Sequence, residues 1–567
     1  MCCRFWIRGL GTVIGLMLLA GCASAPNAPK PRAAVDPLET PVTTELGTDL
    51  PAEKVAQAHA HYAAGVVHEM NDETEAALHE YYLAAEADPD DEGLMLEVTR
   101  RFLQAKQPDK ALELLNRAAA RPGASGAIFA RLGMVYGQLG KSEQAAVADR
   151  AAIKRAPDSL AGYQNLFLTL LQEKQPAEAL KILDEASRQS AANAEFLIGL
   201  SELYGNFALQ YPSQKDKTNP KALAALNRAE KMQPSNPVLR MRLADGFNSA
   251  GAPEQAARIY LDLLKQLPDL PIVRERVHAK LANIYLRGSD NKHAIEQLEA
   301  FVHDDPANPQ AYFYLGRLCY EEKKYPAAID YLNKAILLKP EFEEAYYSLA
   351  LAQLAGNATS DALATLDRAR NRFPPSFELE LWSGLAYSRQ KAYAEAVRHY
   401  ASAESIAKAA DPTRLTHEFY FEIGAAYERS GDIPQAERCF EKCLQLSPND
   451  AAAQNYLGYM WAEHGTKLER AHELIQKAVK TEPNNPAYLD SLGWVLFKLH
   501  QPQEALKNVT KAIELSPEQD ATLLDHLGDI YNALGQSDKA REAWTKSLSL
   551  EANDDIKKKL EAAEHKP

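Results

Sequence analysis

Small residues, alanines and prolines recur along this chain at fixed distances from one another. A small residue is followed twelve positions later by an alanine and twelve positions after that by a proline, as in Gly316, Ala328 and Pro340. Other sets with this spacing are Gly133, Ala145 and Pro157; Ala244, Ala256 and Pro268; Ala282, Ala294 and Pro306; Ala350, Ala362 and Pro374; Gly424, Ala436 and Pro448; and Gly493, Ala505 and Pro517. Residues 316, 350 and 384 are spaced by 34, and apolar residues recur between them at helical intervals, so each unit predicts two amphipathic helices.

A period of 34 residues with two helices in each unit resembles the tetratricopeptide repeat. In that repeat the eighth and twentieth positions are small because the two helices touch there, and a proline at the end stops the second helix. The resemblance implies an all-α fold, a right-handed superhelical solenoid whose first helices line the concave face. About fourteen units are predicted between residues 58 and 553, with starts near 58, 92, 126, 160, 194, 237, 275, 309, 343, 377, 417, 451, 486 and 521.

Some units depart from the pattern, and two insertions interrupt the period. The units at 92–125, 160–193 and 194–236 are degenerate, because the position of the small residue holds Thr99, Phe167 and Ser201. Two alternatives are open for the insertions at 210–220 and 407–416: they change the pitch of the solenoid, or they act as partner-binding loops. Residues 554–567 predict a capping helix and tail, with one apolar stripe and an otherwise charged surface.

One short stretch, Gly140, Lys141 and Ser142, has the ending of a phosphate-binding loop. Such a loop needs another glycine five residues earlier, where this chain has Val135. The same repeat position is occupied in other units by Gly251, Gly431 and Gly535. It follows the first helix, where a left-handed residue is favoured and glycine is least strained. The stretch therefore predicts a turn between helices, and no nucleotide site.

The N-terminus resembles a bacterial lipoprotein signal. Arg4 and Arg8 form a basic start, 9–20 is a short apolar run, and the run closes on the sequence LAGC at Cys22. The resemblance implies removal of residues 1–21 and lipidation of Cys22. The alternative is an ordinary secretory leader that is cut near the sequence ASA.

The residues after Cys22 bear on the location and on the anchor. Residue 23 is Ala rather than Asp, which by analogy with enterobacterial lipoproteins predicts attachment to the outer membrane. Residues 22–57 are rich in Pro, Ala and Thr and lack an apolar period, so they predict a disordered tether between the lipid and the repeats.

Charge and cysteine usage narrow the function classes. The formal net charge is −14, and a balance this acidic argues against nucleic acid as a partner. Outside the leader and Cys22 there remain Cys319, Cys439 and Cys443, an odd number with no His or Asp cluster beside them in the sequence. We therefore expect these cysteines to pack in the core and predict neither a metal site nor a cofactor. No zinc-protease or serine-hydrolase motif occurs, so an enzyme is not predicted.

The C-terminal units carry a more specific resemblance. The blocks LGY, DSLGW and HLGD, between residues 457 and 529, look like the C-terminal repeats of large bacterial tetratricopeptide lipoproteins. Some members of that group are outer-membrane adaptors that bring substrates to periplasmic carboxyl-terminal processing proteases. Others serve secretion or exopolysaccharide export. The resemblance implies a protein-binding scaffold, with an adaptor and a structural part of an export or assembly machine as the two alternatives.

The repeat positions that point into the groove predict where a partner binds. In the last three units they hold Asn455, Tyr459, Asp490, Trp494, Phe497, Asp525, Asp529 and Asn532. A second set, in the eighth and ninth units, is Phe313, Arg317, Tyr320 and Tyr347. Aromatic residues beside carboxylates suit a partner segment with apolar and basic side chains. The alternative is that these aromatic residues pack between neighbouring first helices.

Overall fold

The computed structural model describes residues 50–267 and 270–564 and is all-α over these residues. The predicted leader, Cys22, most of the tether and Pro268 lie outside the described residues. The chain divides into two compact units, and the described residues 50–305 belong to one and 306–564 to the other. None of the described helices is both long enough and apolar enough to cross a membrane.

The N-terminal unit is a series of antiparallel helical pairs. Its helices are α1 (Leu50–Met70), α2 (Thr74–Ala87), α3 (Glu92–Gln104), α4 (Pro108–Ala119), α5 (Gly126–Gln138), α6 (Ser142–Arg155), α7 (Leu160–Gln172), α8 (Pro176–Ser187), α9 (Ala194–Gln210), α10 (Lys215–Lys231), α11 (Pro237–Ser249), α12 (Pro253–Gln266), α13 (Pro271–Arg287) and α14 (Asn291–Asp304).

The C-terminal unit continues the same alternation and ends in a single helix. Its helices are α15 (Pro309–Glu321), α16 (Tyr325–Leu338), α17 (Glu343–Ala355), α18 (Thr359–Arg370), α19 (Phe377–Arg389), α20 (Tyr393–Ala410), α21 (His417–Arg429), α22 (Ile433–Leu446), α23 (Ala451–Glu463), α24 (Leu468–Thr481), α25 (Pro486–Lys498), α26 (Pro502–Leu515), α27 (Ala521–Ala533), α28 (Ser537–Leu550) and α29 (Asp554–Glu564).

The all-α solenoid of helix-turn-helix repeats is confirmed. In all but two hairpins of the described residues, the first helix begins at the residue predicted as the start of its repeat. The exceptions are α1, which begins at Leu50 rather than near 58, and α13, which begins at Pro271 rather than near 275. The last residues of the predicted tether, from Leu50 to 57, are therefore helical.

The three degenerate units also form hairpins. Their two helices contact each other as in the regular units, in the pairs α3 and α4, α7 and α8, and α9 and α10. Thr99, Phe167 and Ser201 are buried at the position of the small residue. The hydroxyl groups of Thr99 and Ser201 donate to main-chain carbonyls three residues earlier, so neither polar group is left unsatisfied.

The two insertions are formed by longer helices and short 3₁₀ turns, so the alternative of a long partner-binding loop is wrong, while a change of pitch stays a prediction. Residues 210–220 are divided between longer versions of α9 and α10, 17 residues each, and a short 3₁₀ turn, Pro212–Gln214. Residues 407–416 extend α20 to 18 residues and add the 3₁₀ turn Pro412–Arg414. In both cases a proline starts the turn, because its fixed φ suits the first helical position and it has no N–H to leave unpaired.

The turn between the two helices of a unit explains Gly140. Its φ is +71°, and the N–H of Lys141 donates to the carbonyl of Tyr136, which closes the C-terminus of α5. This is the left-handed ending expected of a helix that must reverse direction. The turn therefore uses the glycine that the sequence shares with a phosphate-binding loop.

In each of the two compact units, several pairs of successive first helices contact one another directly. Examples are α5 with α7 and α7 with α9 in the N-terminal unit, and α23 with α25 and α25 with α27 in the C-terminal unit. Successive second helices make no comparable contact over the described residues. Where successive first helices contact one another and the second helices do not, the stack curves toward the first helices, which form its inner layer.

Candidate partner-binding surface

The predicted groove residues of the C-terminal unit lie on three adjacent first helices. The set comprises Asn455 and Tyr459 on α23; Asp490, Trp494 and Phe497 on α25; and Asp525, Asp529 and Asn532 on α27. Because α25 contacts both of the others, these side chains occupy one stretch of the inner layer. We call this set the C-terminal groove cluster.

Trp494 is an internal residue of this cluster. Its exposed fraction is only 6%. Its ring stacks on His526 with centroids 4.0 Å apart and on Phe497 with centroids 5.1 Å apart. Its indole Nε1 donates a hydrogen bond of 2.8 Å to Glu463 Oε2. For Trp494 the alternative of packing between neighbouring first helices therefore holds, since the ring is part of the core between α23, α25 and α27.

Asp490 is also engaged within the protein. It is 8% exposed, and both of its carboxylate oxygens accept from Nδ1 of the buried His526, at 2.9 and 3.0 Å. His526 is not among the residues that the groove positions of the repeat predict. The available signal was its place one residue after Asp525 on the same helix, but helical spacing alone does not reveal that it reaches Asp490 on α25.

The carboxylates of Asp525 and Asp529 share one ion-pair partner on the capping helix. Lys559 Nζ on α29 donates to Asp525 Oδ1 and to Asp529 Oδ2, both at 2.8 Å. Trp544 Nε1 donates to the other oxygen of Asp529 at 3.2 Å. Burial raises the pKa of Asp529, while the Lys559 ammonium acts in the opposite direction. The prediction that these carboxylates suit basic side chains of a partner must therefore take into account that the chain supplies one cation, Lys559, to both of them.

The remaining members of the cluster define what a partner can touch. Tyr459 and Phe497 are partly exposed, and Asn532 is exposed. Asn455 is partly exposed, but its Oδ1 is buried and has no hydrogen-bond partner within the described residues. Lys498 Nζ lies 4.5 Å from the centroid of the Trp494 ring. This surface therefore offers aromatic edges, amides and charges of both signs rather than a uniformly acidic patch.

The second predicted set is distributed over separate contacts. The Phe313 ring lies 4.6 Å from Phe342, and the guanidinium of Arg317 lies 5.9 Å from the Phe313 ring. The Tyr347 hydroxyl is 2.6 Å from Glu343 Oε1 and 2.8 Å from Ser376 Oγ, just before α19. Tyr320 packs against Tyr325 with centroids 5.9 Å apart. Phe313 and Tyr347 are buried between neighbouring elements, so they resemble packing residues more than an open site.

One cysteine has neighbours that the sequence order did not reveal. Ligand atoms of His417, Cys443 and Asp450 all lie within 4.8 Å of one another. The expectation that no His or Asp lies close to these cysteines was based on sequence neighbours, and it is wrong for Cys443. Cys439 is partly buried on the same helix, and Cys319 is buried in α15.

Comparison with known families identifies the repeats. Models of the tetratricopeptide repeat match residues 279–345, 320–380, 417–450 and 521–554. Among solved structures, the chain is similar to the Cut9 subunit structure titled "APC/C hetero-tetramer Cut9-Hcn1", with 16% identity, a TM-score of 0.38, and coverage of 82% of this chain and 95% of that chain. It is also similar to the human IFIT1 dimer, with 18% identity, a TM-score of 0.32, and coverage of 79% and 94%.

Two curated proteins show distant sequence similarity. The human protein O-mannosyl-transferase TMTC3 is 24% identical over 422 residues, which is 71% of this chain and 41% of that protein. The peroxisomal targeting signal receptor of Saccharomyces cerevisiae is 23% identical over 178 residues, which is 30% of this chain and 28% of the receptor. The chain therefore spans less than half the length of either relative.

Proposed function

We propose that this large tetratricopeptide-repeat protein is a lipid-anchored scaffold of the bacterial outer membrane, facing the periplasm, that binds a protein partner on its inner layer. The partner class that we propose is a processing protease together with the protein it cleaves. The observation that carries the proposal is the C-terminal groove cluster, where three first helices present one continuous, internally braced surface. The lipoprotein-like leader and the C-terminal blocks support the location and the adaptor role.

The bracing of the cluster favours binding. Trp494 is fixed by Glu463, and Asp490 is fixed by His526, so the surface above them is held in one arrangement before a partner arrives. A pre-organised surface loses less conformational entropy on association than a flexible one. Tyr459 and Phe497, which are partly exposed, would contribute apolar contact.

One of the two distant relatives supports a binding role. The yeast protein is, by its name, a receptor for a targeting signal, and the shared repeats support recognition of a peptide segment by this chain as well. An extended or helical segment laid along first helices is a known way for a protein groove to recognise its partner. Trp494, Asp490, Asp525 and Asp529 then act as positioning residues beneath the surface.

Site-specific photocrosslinking in cells tests the proposal. A photoreactive amino acid replaces Asn532, which is exposed on α27, and in a matched control it replaces Lys546, which is exposed on the second helix α28. We expect protein adducts from the Asn532 probe and none from the Lys546 probe, with a protease or its substrate identified in the adducts by mass spectrometry.

The outcomes separate the two alternatives. An adaptor gives adducts with a soluble envelope protein at less than one partner per chain. A structural part of an export machine gives adducts with a membrane complex that copurifies at constant stoichiometry, and this result would replace the adaptor role. Equal adducts from both probes would show that binding does not depend on the inner layer.

The anchor is tested separately. Cys22→Ser is expected to abolish incorporation of a fatty-acid analogue and to move the protein from the membrane fraction to the soluble fraction, because the lipid would be attached at that sulfur. Several acyl chains bind a membrane firmly, so the change in fractionation should be nearly complete. Cys319→Ser is the control and should be labelled normally. Equal labelling of the Cys22→Ser protein would refute the lipid assignment.

A further inference from the structure

Three side chains of different chemistry converge where three helices of the C-terminal unit meet. His417 is the first residue of α21, Cys443 lies in the last turn of α22, and Asp450 is the N-cap of α23. Their ligand atoms lie within 4.8 Å of one another. Imidazole nitrogen, thiolate sulfur and carboxylate oxygen are the three ligand types that bind zinc in proteins. We infer that His417, Cys443 and Asp450 form a binding site for Zn²⁺ or a similar divalent transition metal.

Asp450 and His417 are each oriented by a contact made through the atom that does not face the site. Asp450 Oδ1 accepts from the main-chain N–H of Ala453 at 2.9 Å, which leaves Oδ2 directed at His417. His417 Nδ1 is 3.1 Å from that Oδ2, and its Nε2 is 3.0 Å from Glu418 Oε1. A metal-bound histidine ordinarily donates its other ring N–H to a carboxylate or carbonyl oxygen. Glu418 fills this role when Nδ1 binds the metal.

The distances between the three ligand atoms are close to those in a tetrahedral metal site. Metal–ligand bonds of about 2.0–2.3 Å place neighbouring ligand atoms about 3.3–3.8 Å apart. Since the present separations do not exceed 4.8 Å, small side-chain rotations bring the three atoms onto one ion. The metal would take the place of the His417–Asp450 contact between Nδ1 and Oδ2 and would pull the Cys443 sulfur toward the same point.

Burial suits a soft metal and leaves a route to it. Cys443 is fully buried, while the side chains of His417 and Asp450 are 31% and 17% exposed. The ion would enter from the side of His417 and meet the sulfur at the inner wall. A thiolate beside an imidazole favours zinc over calcium or magnesium, which prefer oxygen ligands. Three protein ligands leave the fourth position for water or for a group of a partner.

Cobalt(II) is the probe that tests the site, because a cobalt–thiolate bond gives a charge-transfer band in the near ultraviolet. The full chain, with its cysteines reduced, is titrated with Co²⁺ and then with Zn²⁺. We expect the band to saturate at one Co²⁺ per chain and to disappear when Zn²⁺ displaces the cobalt. The matched control is Cys439→Ser, one helical turn from Cys443, which should keep the band, whereas Cys443→Ser should lose it.

A second pair of variants covers the risk that Cys443→Ser fails to fold. His417→Gln, at a partly exposed position, should also lose saturable binding, with circular dichroism as the folding control. Glu418→Gln should retain the band and weaken the affinity by about 10–100-fold, as is typical of a residue that orients a ligand. The proposal is overturned if the wild-type chain shows no charge-transfer band in excess Co²⁺, or if the band persists in folded His417→Gln or Cys443→Ser.

Discussion

Trp494→Ala is expected to destabilise the C-terminal hairpins by about 3–5 kcal/mol, the cost of truncating a buried aromatic side chain. The ring is 6% exposed, stacks on His526 and Phe497, and donates a hydrogen bond to Glu463, so its removal leaves a cavity and an unpaired acceptor. In a repeat array each hairpin is stabilised mainly by its neighbours. The loss should therefore concentrate in α23–α27.

Hydrogen exchange with mass spectrometry, at increasing urea, measures this local loss. Asn532→Ala is the control, because Asn532 is exposed on α27 and its truncation should leave the exchange of these helices unchanged. Wild-type protection of α25 in Trp494→Ala would mean that the ring is a surface residue after all. A binding defect of this variant cannot by itself identify a contact residue, which is why the crosslinking probe is placed at Asn532.

The stability of the N-terminal unit is expected to fall as pH rises from about 4 to about 7, because of Asp149. This carboxyl group is fully buried in α6, and burial raises its pKa to about 7 from an ordinary value of 3.8, although a hydrogen bond from Asn165 acts in the opposite direction. Oδ1 accepts from Asn165 Nδ2 at 3.2 Å, and Oδ2 has no partner among the described residues. Asp149 fits only because position 133 is glycine, since a Cβ there would lie 2.0 Å from Oδ1.

The direction of this pH dependence follows from whether the folded or the unfolded chain keeps the proton on Asp149. Below pH 3.8 the carboxyl group is neutral in both states, and no penalty applies. Between 3.8 and about 7 the unfolded chain loses the proton while the folded chain keeps it, so rising pH favours unfolding; above about 7 the penalty is complete. A pKa difference of this size corresponds to about 4 kcal/mol at most.

Asp149→Asn removes the titration and should remove most of this pH dependence. We expect the variant to be about 1–3 kcal/mol more stable than wild type at pH 8 and no more stable at pH 4. The gain at pH 8 is smaller than the full penalty of ionised Asp149, because the variant buries an amide N–H without an acceptor. Urea denaturation across this pH range measures the effect, with exposed Asp158→Asn as the control. Parallel pH profiles of Asp149→Asn and wild type would show that Asp149 is ionised at little cost in the folded protein.

The hairpins could be predicted from sequence because their determinants are local and repeated. Gly493 illustrates this, since a Cβ at that position would lie 2.4 Å from Val509 Cγ2, so this hairpin requires the small residue that the repeat pattern predicts. Gly140 is similar, because its left-handed turn depends only on the helix that it ends. The conformation of the insertions could not be predicted, since the 34-residue period detects extra residues but does not reveal that helices α9, α10 and α20 lengthen and that 3₁₀ turns follow α9 and α20.

By itself, the sequence determined the all-α repeat fold and the three helices that carry the C-terminal groove cluster, because small residues and helix ends recur with a fixed period. Only the tertiary structure decided which of those side chains face a partner and which face the protein. His526 reaches Asp490 from 36 residues away, and Lys559 reaches Asp525 from 34 residues away. Such contacts join one hairpin to the next helices along the chain. Side-chain length, burial and charge determine which residues pair there, and a periodic pattern does not contain that information.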